Sequence, residues 1–294
     1  MALTIVTDST CDLPKAELDA LNVVRVPLYV HFEGETRKDW LEIQPKEVME
    51  RMAQGAEPAT TSQPTPEDFA SVYREAVAAG STDILVVTIS SDLSGTYQSA
   101  TLAANEVDAA VEVFDSKNAS LGAAFMVRRA AAMRDAGKPV GEIVKALEDI
   151  RERSKLIFTV STLEYLQKGG RIGRASALVG SLLNVKPLLT LDNGVVAAAG
   201  RARGAKKALK TLVETVQSTA DAHSDGELVL SFLHIQDPEA ADRLRAAVDE
   251  AGIKYRPAGV YEMGAVIGVH VGPGTYGAYG FVDPNPELGL AGLN

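Results

Sequence analysis

Three segments that lie far apart in the chain place small hydroxyl residues beside a glycine or a proline. They are Thr60-Thr61-Ser62-Gln63-Pro64, Ser90-Ser91-Asp92-Leu93-Ser94-Gly95-Thr96 and His270-Val271-Gly272-Pro273-Gly274. Hydroxyls, backbone amides and an imidazole can all hold an anionic head group by hydrogen bonds. If the three segments meet in the folded chain, they predict a site that holds an anion rather than one that cleaves a bond.

Each segment also has a simpler structural interpretation. Ser94 stands where a predicted strand leads into a predicted helix, so it either caps that helix or helps its free amides bind an anion. The segment at 60–64 is either part of a site or a polar loop before a helix capped by Thr65. His270 ends an apolar run, residues 265–270, that we predict to be a strand. His270 either has a structural role or belongs to a binding site. In the second case, the glycines that follow it would allow a ligand to come close to the backbone.

A serine hydrolase or acyltransferase is an alternative, with Ser94 as nucleophile and His270 as base. Asp8 or Asp92 would complete the triad. Ser94 lies in Leu-Ser-Gly-Thr rather than in the Gly-x-Ser-x-Gly elbow, and the sequence places no aspartate behind His270. A sensor of small anions or phosphosugars is a further alternative.

Neither a metal nor a nucleotide cofactor is expected. The segment 169–174, Gly-Gly-Arg-Ile-Gly-Arg, lacks the Lys-Ser/Thr ending of a phosphate loop and does not follow a predicted strand. We predict a basic turn before a helix there. His31, His223 and His234 share no spacing typical of a metal site.

Charge is unevenly distributed along the 294 residues, whose net charge is −10. An acidic chain argues against a general nucleic-acid binder. Residues 165–210 nevertheless contain nine basic residues and a single acid, Asp192. This cationic segment suggests an anionic ligand or an acidic partner, and the alternative is a set of solvated basic helix faces. The basic residues are Lys168, Arg171, Arg174, Lys186, Arg201, Arg203, Lys206, Lys207 and Lys210.

The cysteine content and the hydropathy of the chain indicate the cellular compartment of the protein. Cys11 is the only cysteine, which rules out an internal disulfide and favours a reducing cytoplasm. Residues 1–12 lack the basic start and apolar run of a signal peptide, and the chain has no uncharged apolar run of ~18 residues. We therefore expect a cytoplasmic protein with at most transient membrane contact.

Alternating strand and helix patterns predict an α/β fold of two domains. Residues 1–155 are predicted to form an N-terminal domain with a mostly parallel, Rossmann-like sheet. Asn193-Gly194 between two β runs is a strong hairpin signal, so residues 156–294 are predicted to form an α+β domain with antiparallel pairing. The polar segments follow predicted strand ends, where open α/β sheets bind ligands. We expect the ligand to lie between the two domains.

Taken together, these motifs resemble the DegV family, in order and over nearly the whole chain. The matching pieces lie at residues 7–13, 60–64, 90–99, 114–117, 166–172, 186–187 and 270–274, together with Arg201 and Arg203.

The resemblance implies a cytoplasmic bacterial protein that binds a long-chain fatty acid in a buried tunnel. It further implies a role like that of the lipid-binding subunit of bacterial fatty acid kinase, which presents the carboxylate to a separate ATP-dependent kinase for acyl-phosphate formation. By motif position, the carboxylate contacts would be Thr61, Ser62, Ser94 and His270, with the backbone of Gly95. The phosphoryl group or the partner would face Arg171, Arg174, Arg201 and Arg203. Low aromatic content, 5%, predicts a mainly aliphatic tunnel wall.

Overall fold

The computed structural model of the chain describes residues 2–54, 58–180 and 185–293. Residues 1 and 294, the first and last residues of the two predicted domains, lie outside the described ranges. The strands are β1 (Leu3–Asp8), β2 (Val23–Val26), β3 (Tyr29–Phe32), β4 (Glu35–Lys38), β5 (Thr60–Ser62), β6 (Asp83–Thr88), β7 (Ala110–Asp115), β8 (Ser154–Thr159), β9 (Val185–Asp192), β10 (Val195–Arg203), β11 (Glu227–His234), β12 (Arg256–Glu262) and β13 (Tyr276–Asp283).

Helices connect and cover these strands, and none of those described could serve as a bilayer span. The α-helices are α1 (Lys15–Ala20), α2 (Pro45–Ala53), α3 (Pro66–Ala78), α4 (Thr96–Ala103), α5 (Leu121–Asp135), α6 (Val140–Glu152), α7 (Glu164–Lys168), α8 (Ala205–Asp221), α9 (Pro238–Glu250) and α10 (Ala265–Val271). Short 3-10 turns lie at Ser9–Cys11, Ala104–Glu106, Gly173–Leu178 and Pro286–Leu288.

A four-stranded parallel sheet forms in the first half of the chain, in the order β2-β1-β6-β7, which confirms the predicted N-terminal sheet. Its inner strands β1 and β6 are apolar runs, as is typical of strands covered on both faces. Helices α3 and α4 cover one face, and α5 packs on the other. Asp8 and Thr88 end the two inner strands, so the residues after them lie at the carboxyl edge of the sheet.

A small antiparallel sheet, β4-β3-β5, stands beside the parallel sheet. The β-rich residues 23–32 form two strands, β2 and β3, which are separated at Pro27-Leu28 because proline cannot donate a ladder hydrogen bond. The hydroxyl segment at 60–62 is a strand rather than a loop, because Thr61 lies opposite Val30 and Ser62 opposite Tyr29. Thr65 caps α3 as predicted, in a reciprocal pair with Asp68.

A six-stranded sheet forms in the second half of the chain, in the order β10-β9-β8-β13-β11-β12. Its pairings are antiparallel apart from β11 with β12, which confirms the predicted class. The β9–β10 hairpin turns at Asn193 and Gly194, whose φ values are 49° and 81°. Positive φ at both positions suits the primed turn that Asn-Gly favours.

The two faces of the six-stranded sheet bury different neighbours. On β8, Leu156 and Phe158 belong to the core shared with α5, whereas Ile157 packs in the core beneath α8 and α9. This alternation is the period of two expected of a strand. The face that carries Leu156 and Phe158 therefore points toward the first half of the chain.

Helix α5 lies between the parallel sheet and the six-stranded sheet, and it is buried on nearly all sides. Phe125 meets Tyr279 and Phe281 of β13 at centroid distances of 5.1 and 5.7 Å. Two arginines on this helix are buried with partners: Arg129 pairs with Asp283, and Arg128 with Glu17. Charged side chains are almost never fully buried unless they are paired in this way.

The strand predicted for residues 265–270 is wrong, because those residues form helix α10. The run Ala-Val-Ile-Gly-Val-His-Val is rich in β-branched residues, whose local preference is for strands. Tertiary contacts override that preference. The carboxyl of Asp12 accepts a hydrogen bond from the amide of Gly264 at 2.9 Å, and Gly272 ends the helix at a φ of 80°. His270 is thus at the end of a helix rather than of a strand.

Candidate ligand-binding site

A cavity of about 420 Å³ lies between the carboxyl edge of the parallel sheet and the inner face of the six-stranded sheet. Its volume is within the range typical of small-molecule sites. Phe158 is the one aromatic residue in the described lining, in agreement with the predicted aliphatic wall. The apolar lining consists of Leu28, Ile89, Leu93, Ala119, Leu156, Phe158, Leu166, Leu191, Val196, Leu233, Met263, Val266, Ile267 and Val271.

One wall of the cavity is polar, and it brings together the three segments singled out in the sequence. Thr61 and His270 are joined by a hydrogen bond of 2.8 Å between Oγ1 and Nε2. Ser62 follows Thr61 on β5, and Ser94 stands in the loop after β6. Segments more than 200 residues apart in sequence therefore meet at a single surface.

Ser62 and Gln63 are held by groups outside the cavity. The Ser62 hydroxyl lies 2.8 Å from Nε2 of His31 on the neighbouring strand β3. The Gln63 amide donates to the Ser99 hydroxyl of α4 at 3.1 Å. A β-carbon on Gly95 would lie 2.1 Å from the Gln63 side chain, so glycine is what allows Gln63 to cover this turn. Gly95 itself does not line the cavity in the described structure.

Ser94 lies just before the first turn of α4. Its hydroxyl is 2.8 Å from the Thr96 hydroxyl and accepts a longer hydrogen bond of 3.4 Å from the Thr96 amide. Gly95 occupies the N-cap position, so the predicted capping role of Ser94 is only partly correct. The hydroxyl of Ser94 faces a cavity at a helix N-terminus, where partial positive charge favours an anion.

Arg171 supplies a positive charge at the polar wall, where it is half-buried. Its guanidinium is fixed by the carbonyl oxygens of Leu93, at 3.1 Å, and Gly169, at 2.7 Å. Among the residues that the structure describes, no carboxylate pairs with this positive charge. An anionic head group in the cavity would provide that partner.

The other three arginines predicted to face a phosphoryl group or a partner do not line this cavity. Arg174 is exposed and pairs with Asp192 at 2.5 Å, across the β9–β10 hairpin. Arg201 and Arg203 are exposed on the edge strand β10. The predicted basic turn at 169–174 leads into the 3-10 turn Gly173–Leu178, and the structure separates its two arginines, turning Arg171 inward and Arg174 outward.

His270 is largely buried, which, together with the nearby charge of Arg171, lowers the pKa of its imidazole to about 4. The ring is therefore neutral at physiological pH, and its Nε2 is the atom that meets Thr61. Its Nδ1 is buried and has no hydrogen-bond partner among the described residues. A catalytic triad requires an acid at that nitrogen.

The two candidate triad acids are occupied elsewhere. Asp8 accepts from the Ile89 amide at 2.7 Å and from Thr10. Asp92 pairs with Lys117 at 2.7 Å. Neither carboxylate is a partner of His270, so the geometry does not favour the hydrolase alternative.

We expect the His270 ring of the ligand-free protein to titrate with a midpoint of about 4. The native state then takes up this proton at lower pH than the unfolded chain, so this group's contribution to stability is lost as the pH falls from about 6.5 to about 4. NMR titration of ¹⁵N-histidine-labelled protein, with His270→Gln to assign the signal, measures the midpoint directly. A midpoint near 6.5 would contradict this assignment.

A second cavity of about 390 Å³ adjoins the first, and the two share Thr61, Arg171 and His270 as lining residues. Thr60, Tyr165 and Lys168 also line it, and Lys168 pairs with Glu164 at 2.6 Å. The second cavity has a more polar lining than the first. Both cavities therefore reach the same three side chains.

The sequence does not identify the apolar lining of the cavity, and it does not distinguish Arg171, which lines the cavity, from the other three arginines. The sequence of β8 does indicate which of its apolar residues share a face. Because side chains alternate along a strand, Leu156 and Phe158 must lie on the same face. Ser120 also lines the cavity, and its φ of 52° is unusual for a residue other than glycine. Nothing in the local sequence separates Ser120 from an ordinary helix cap.

The fold and the cavity define an α/β protein with two large sheets. Between these sheets lies an apolar cavity that has one polar, cationic wall. This chain belongs to the DegV family. The family model, described as "Uncharacterised protein, DegV family", matches residues 2–281.

Known relatives and solved structures resemble the chain over nearly its full length. A DegV domain-containing protein of Deinococcus radiodurans is 42% identical, over 94% of this chain and 97% of that protein. The structure described as "Fatty Acid Binding of a DegV family Protein from Thermus thermophilus" has 45% identity and a TM-score of 0.92, over 96% of this chain and 100% of that one. A stearic acid-binding protein of Eubacterium ventriosum has 29% identity and a TM-score of 0.88, over 96% and 98% of the two chains.

Proposed function

We propose that this protein binds a long-chain fatty acid, with its acyl tail in the 420 Å³ cavity and its carboxylate at the polar wall. The observation that carries the proposal is an aliphatic chamber whose polar wall holds hydroxyls, a neutral imidazole and an arginine that pairs with no carboxylate in the described part of the chain. The DegV family protein of T. thermophilus, described as fatty-acid binding, and the E. ventriosum protein, described as stearic acid-binding, support it.

The apolar part and the polar wall of the cavity contribute different amounts of binding free energy. Burial of a methylene contributes ~0.8 kcal/mol, so a tail of about 14 methylenes contributes on the order of 10 kcal/mol before the cost of ordering it. A hydrogen bond to a charged group contributes only about 1.5–3 kcal/mol. We infer that the tail provides most of the affinity and that the polar wall orients the head group.

The head-group contacts that we propose are the hydroxyls of Thr61, Ser62 and Ser94 and the ring of His270. Arg171 joins them, because it is the cation of the same wall. Thr61 and His270 already share a hydrogen bond, and if Nε2–H of His270 donates to Oγ1 of Thr61, the hydroxyl hydrogen of Thr61 is left to donate to a carboxylate. The predicted contact to the Gly95 backbone remains part of this proposal.

We further propose that the bound fatty acid is presented to a separate ATP-dependent fatty acid kinase. The second cavity gives a polar approach to the wall that holds the carboxylate. The exposed side chains of Arg174, Arg201 and Arg203 offer positive charge to an acidic partner surface. Residues 1–155 and 156–294 would act as two domains that hold the ligand between them.

Native mass spectrometry of the protein after mild purification tests lipid binding. We expect a mass increase that corresponds to a C16–C18 fatty acid, in a ratio of one per chain, and reloading of the delipidated protein on titration with oleate. The absence of both would overturn the proposal. A sensor of small anions is distinguished by affinity that does not increase with the length of the acyl chain.

A coupled assay tests the kinase role. Oleate-loaded protein mixed with a fatty acid kinase and MgATP should yield acyl hydroxamate when hydroxylamine traps the acyl phosphate. Loaded protein with MgATP alone should yield none. Product without the kinase would assign the chemistry to this chain, and no product with it would remove the presenting role.

Incubation with p-nitrophenyl esters distinguishes the hydrolase alternative, which would need Ser94 and His270 as nucleophile and base. Turnover that Ser94→Ala abolishes would favour that enzyme. The fatty-acid-binding function predicts no turnover. It also predicts that Ser94→Ala retains most lipid binding, because the tail supplies most of the affinity.

A further inference from the structure

Two buried carboxyl groups from the first half of the chain meet the first turn of helix α10. Asp12 Oδ1 accepts from the Gly264 amide at 2.9 Å. The amides of Ala265 and Val266 face the carboxyl of Asp39, as does the Ser9 hydroxyl, and these groups favour its charged form. Asp12 and Asp39 are 1% and 0% exposed, so both carboxyls are removed from water.

These carboxyls are incompletely paired for groups so deeply buried. Among the described residues, Oδ2 of Asp12 and both oxygens of Asp39 make no hydrogen bond of normal distance and angle. The same holds for Nε1 of Trp40 and Oγ of Ser120, both of which lie near enough to favour the charged form of Asp12. Buried polar atoms of this kind are costly, and their number here is unusual.

The helix and the carboxyls are in tight contact. A β-carbon on Gly264 would lie 2.4 Å from Nε1 of Trp40 and 2.7 Å from Oδ1 of Asp12. Trp40 itself adopts a φ of 64°, in a region that non-glycine residues rarely occupy. The chain therefore accepts backbone strain and close packing at the point where the carboxyls meet α10.

Few charges compensate the pair. Arg25 of β2 lies over the Trp40 ring, 5.8 Å from its centroid, and favours ionisation of Asp39. Among the described residues, the Cys11 thiol also lies near Asp12, and Asp8 of β1 lies near the same thiol. Helices α2 and α7 meet α10 through Met49 and Tyr165.

Burial and mutual repulsion disfavour two negative charges in this place. Burial and, to a smaller extent, the charge of Asp39 together raise the pKa of Asp12 to about 8. Burial likewise raises the pKa of Asp39 to about 7. His270, at the other end of α10, is neutral across this range.

Helix α10 is a wall of the cavity. Val266, Ile267 and Val271 contribute apolar surface, and His270 contributes its ring to the polar wall. The helix is only seven residues long, so it depends on its neighbours rather than on its own hydrogen bonds. A change at its first turn therefore reaches both the tail and the head group of a ligand.

We propose that Asp12 and Asp39 are positioning residues that clamp the first turn of α10, and that loss of a proton from this carboxyl pair loosens the helix and speeds release of the bound acyl chain. This inference rests on the proposed fatty-acid ligand. When the helix moves away, water reaches the carboxyls, and their pKa values return toward the ordinary value of 3.8. The open state therefore binds fewer protons than the closed state, and rising pH favours opening until the closed pair is itself ionised.

Stopped-flow dissociation of cis-parinarate, a fluorescent long-chain fatty acid, tests the clamp between pH 5.5 and 8.5. We expect the wild-type dissociation rate to rise about tenfold between pH 6 and pH 8 and then to level off. Asp39→Asn and Asp12→Asn carry a permanently neutral group, so the rise should fall to about threefold or less in each. Asp108→Asn removes an exposed carboxylate beyond α4, at the opposite edge of the parallel sheet, and should keep the full wild-type rise.

Hydrogen exchange of the α10 amides in the ligand-free protein supplies a second readout. After correction for intrinsic pH dependence, exchange should increase with pH in the wild type and in Asp108→Asn, and increase distinctly less in Asp12→Asn and Asp39→Asn, which each keep one carboxyl of the pair. An unchanged pH profile in Asp39→Asn by both methods would overturn the clamp. If parinarate does not bind at all, the fatty-acid function fails, and the exchange data alone then test whether Asp12 and Asp39 clamp α10. If one of the two variants does not fold, the other variant tests the same proposal.

Discussion

Replacing Ala119 with tryptophan should abolish tight binding of a long-chain fatty acid while leaving the protein folded. Ala119 lines the 420 Å³ cavity, and an indole there would occupy space that the acyl tail needs. If the larger side chain excludes about six methylenes, the loss of burial is ~5 kcal/mol, which corresponds to a weakening of more than about a thousandfold. Titration with oleate, followed by calorimetry, measures the change in Kd.

The control for this substitution is Ala79→Trp, which places the same side chain at the exposed end of α3. Its affinity for oleate should equal that of the wild type. Circular dichroism of both variants checks that the fold is retained. Tight binding by folded Ala119→Trp would show that the acyl chain does not occupy this cavity.

Replacing Asp283 with alanine should lower the free energy of unfolding by about 3–5 kcal/mol. Asp283 is 0% exposed and accepts from Arg129 at 2.7 Å and from Arg256 at 3.1 Å. Its other oxygen accepts from the Asn285 amide at 3.1 Å. Removal of this carboxylate leaves the guanidinium of Arg129, itself 2% exposed, as a buried charge without an acidic partner.

Urea denaturation measures this loss. Asp19→Ala is the matched control, because Asp19 pairs with Lys15 on an exposed helix face. An exposed pair contributes at most about 1 kcal/mol, so the control should remain close to the wild type. Equal stability of Asp283→Ala and Asp19→Ala would mean that the buried pair does not hold α5 to the end of β13.

Much of the fold could be predicted, because its local signals agree with its tertiary structure. The apolar runs of β1 and β6 and the Asn193-Gly194 turn each specify the element that forms. Helix α10 is the exception. Its β-branched residues favour a strand, and only the partners that reach its first turn, such as Asp12, explain why it is helical.

The polar part of the candidate site could be anticipated more fully than its apolar part. Thr61, Ser94 and His270 are conspicuous because hydroxyls and imidazoles stand out beside glycine and proline. Leu156 and Ile157 look alike in sequence, although one lines the cavity and the other packs beneath α8 and α9. Which apolar side chain faces a void depends on how the two sheets pack, and that information is not local.

The position of α5 has a consequence for synthesis of the protein on the ribosome. Phe125 of this helix packs against Phe281, so its partner emerges from the exit tunnel only when almost the whole chain has been made. At a rate of ~5–20 residues per second, roughly 8–30 seconds separate the synthesis of Phe125 from that of Phe281. During that interval the nascent chain exposes the face of α5 that later meets β13, and we expect that face to engage chaperones until the last strand arrives.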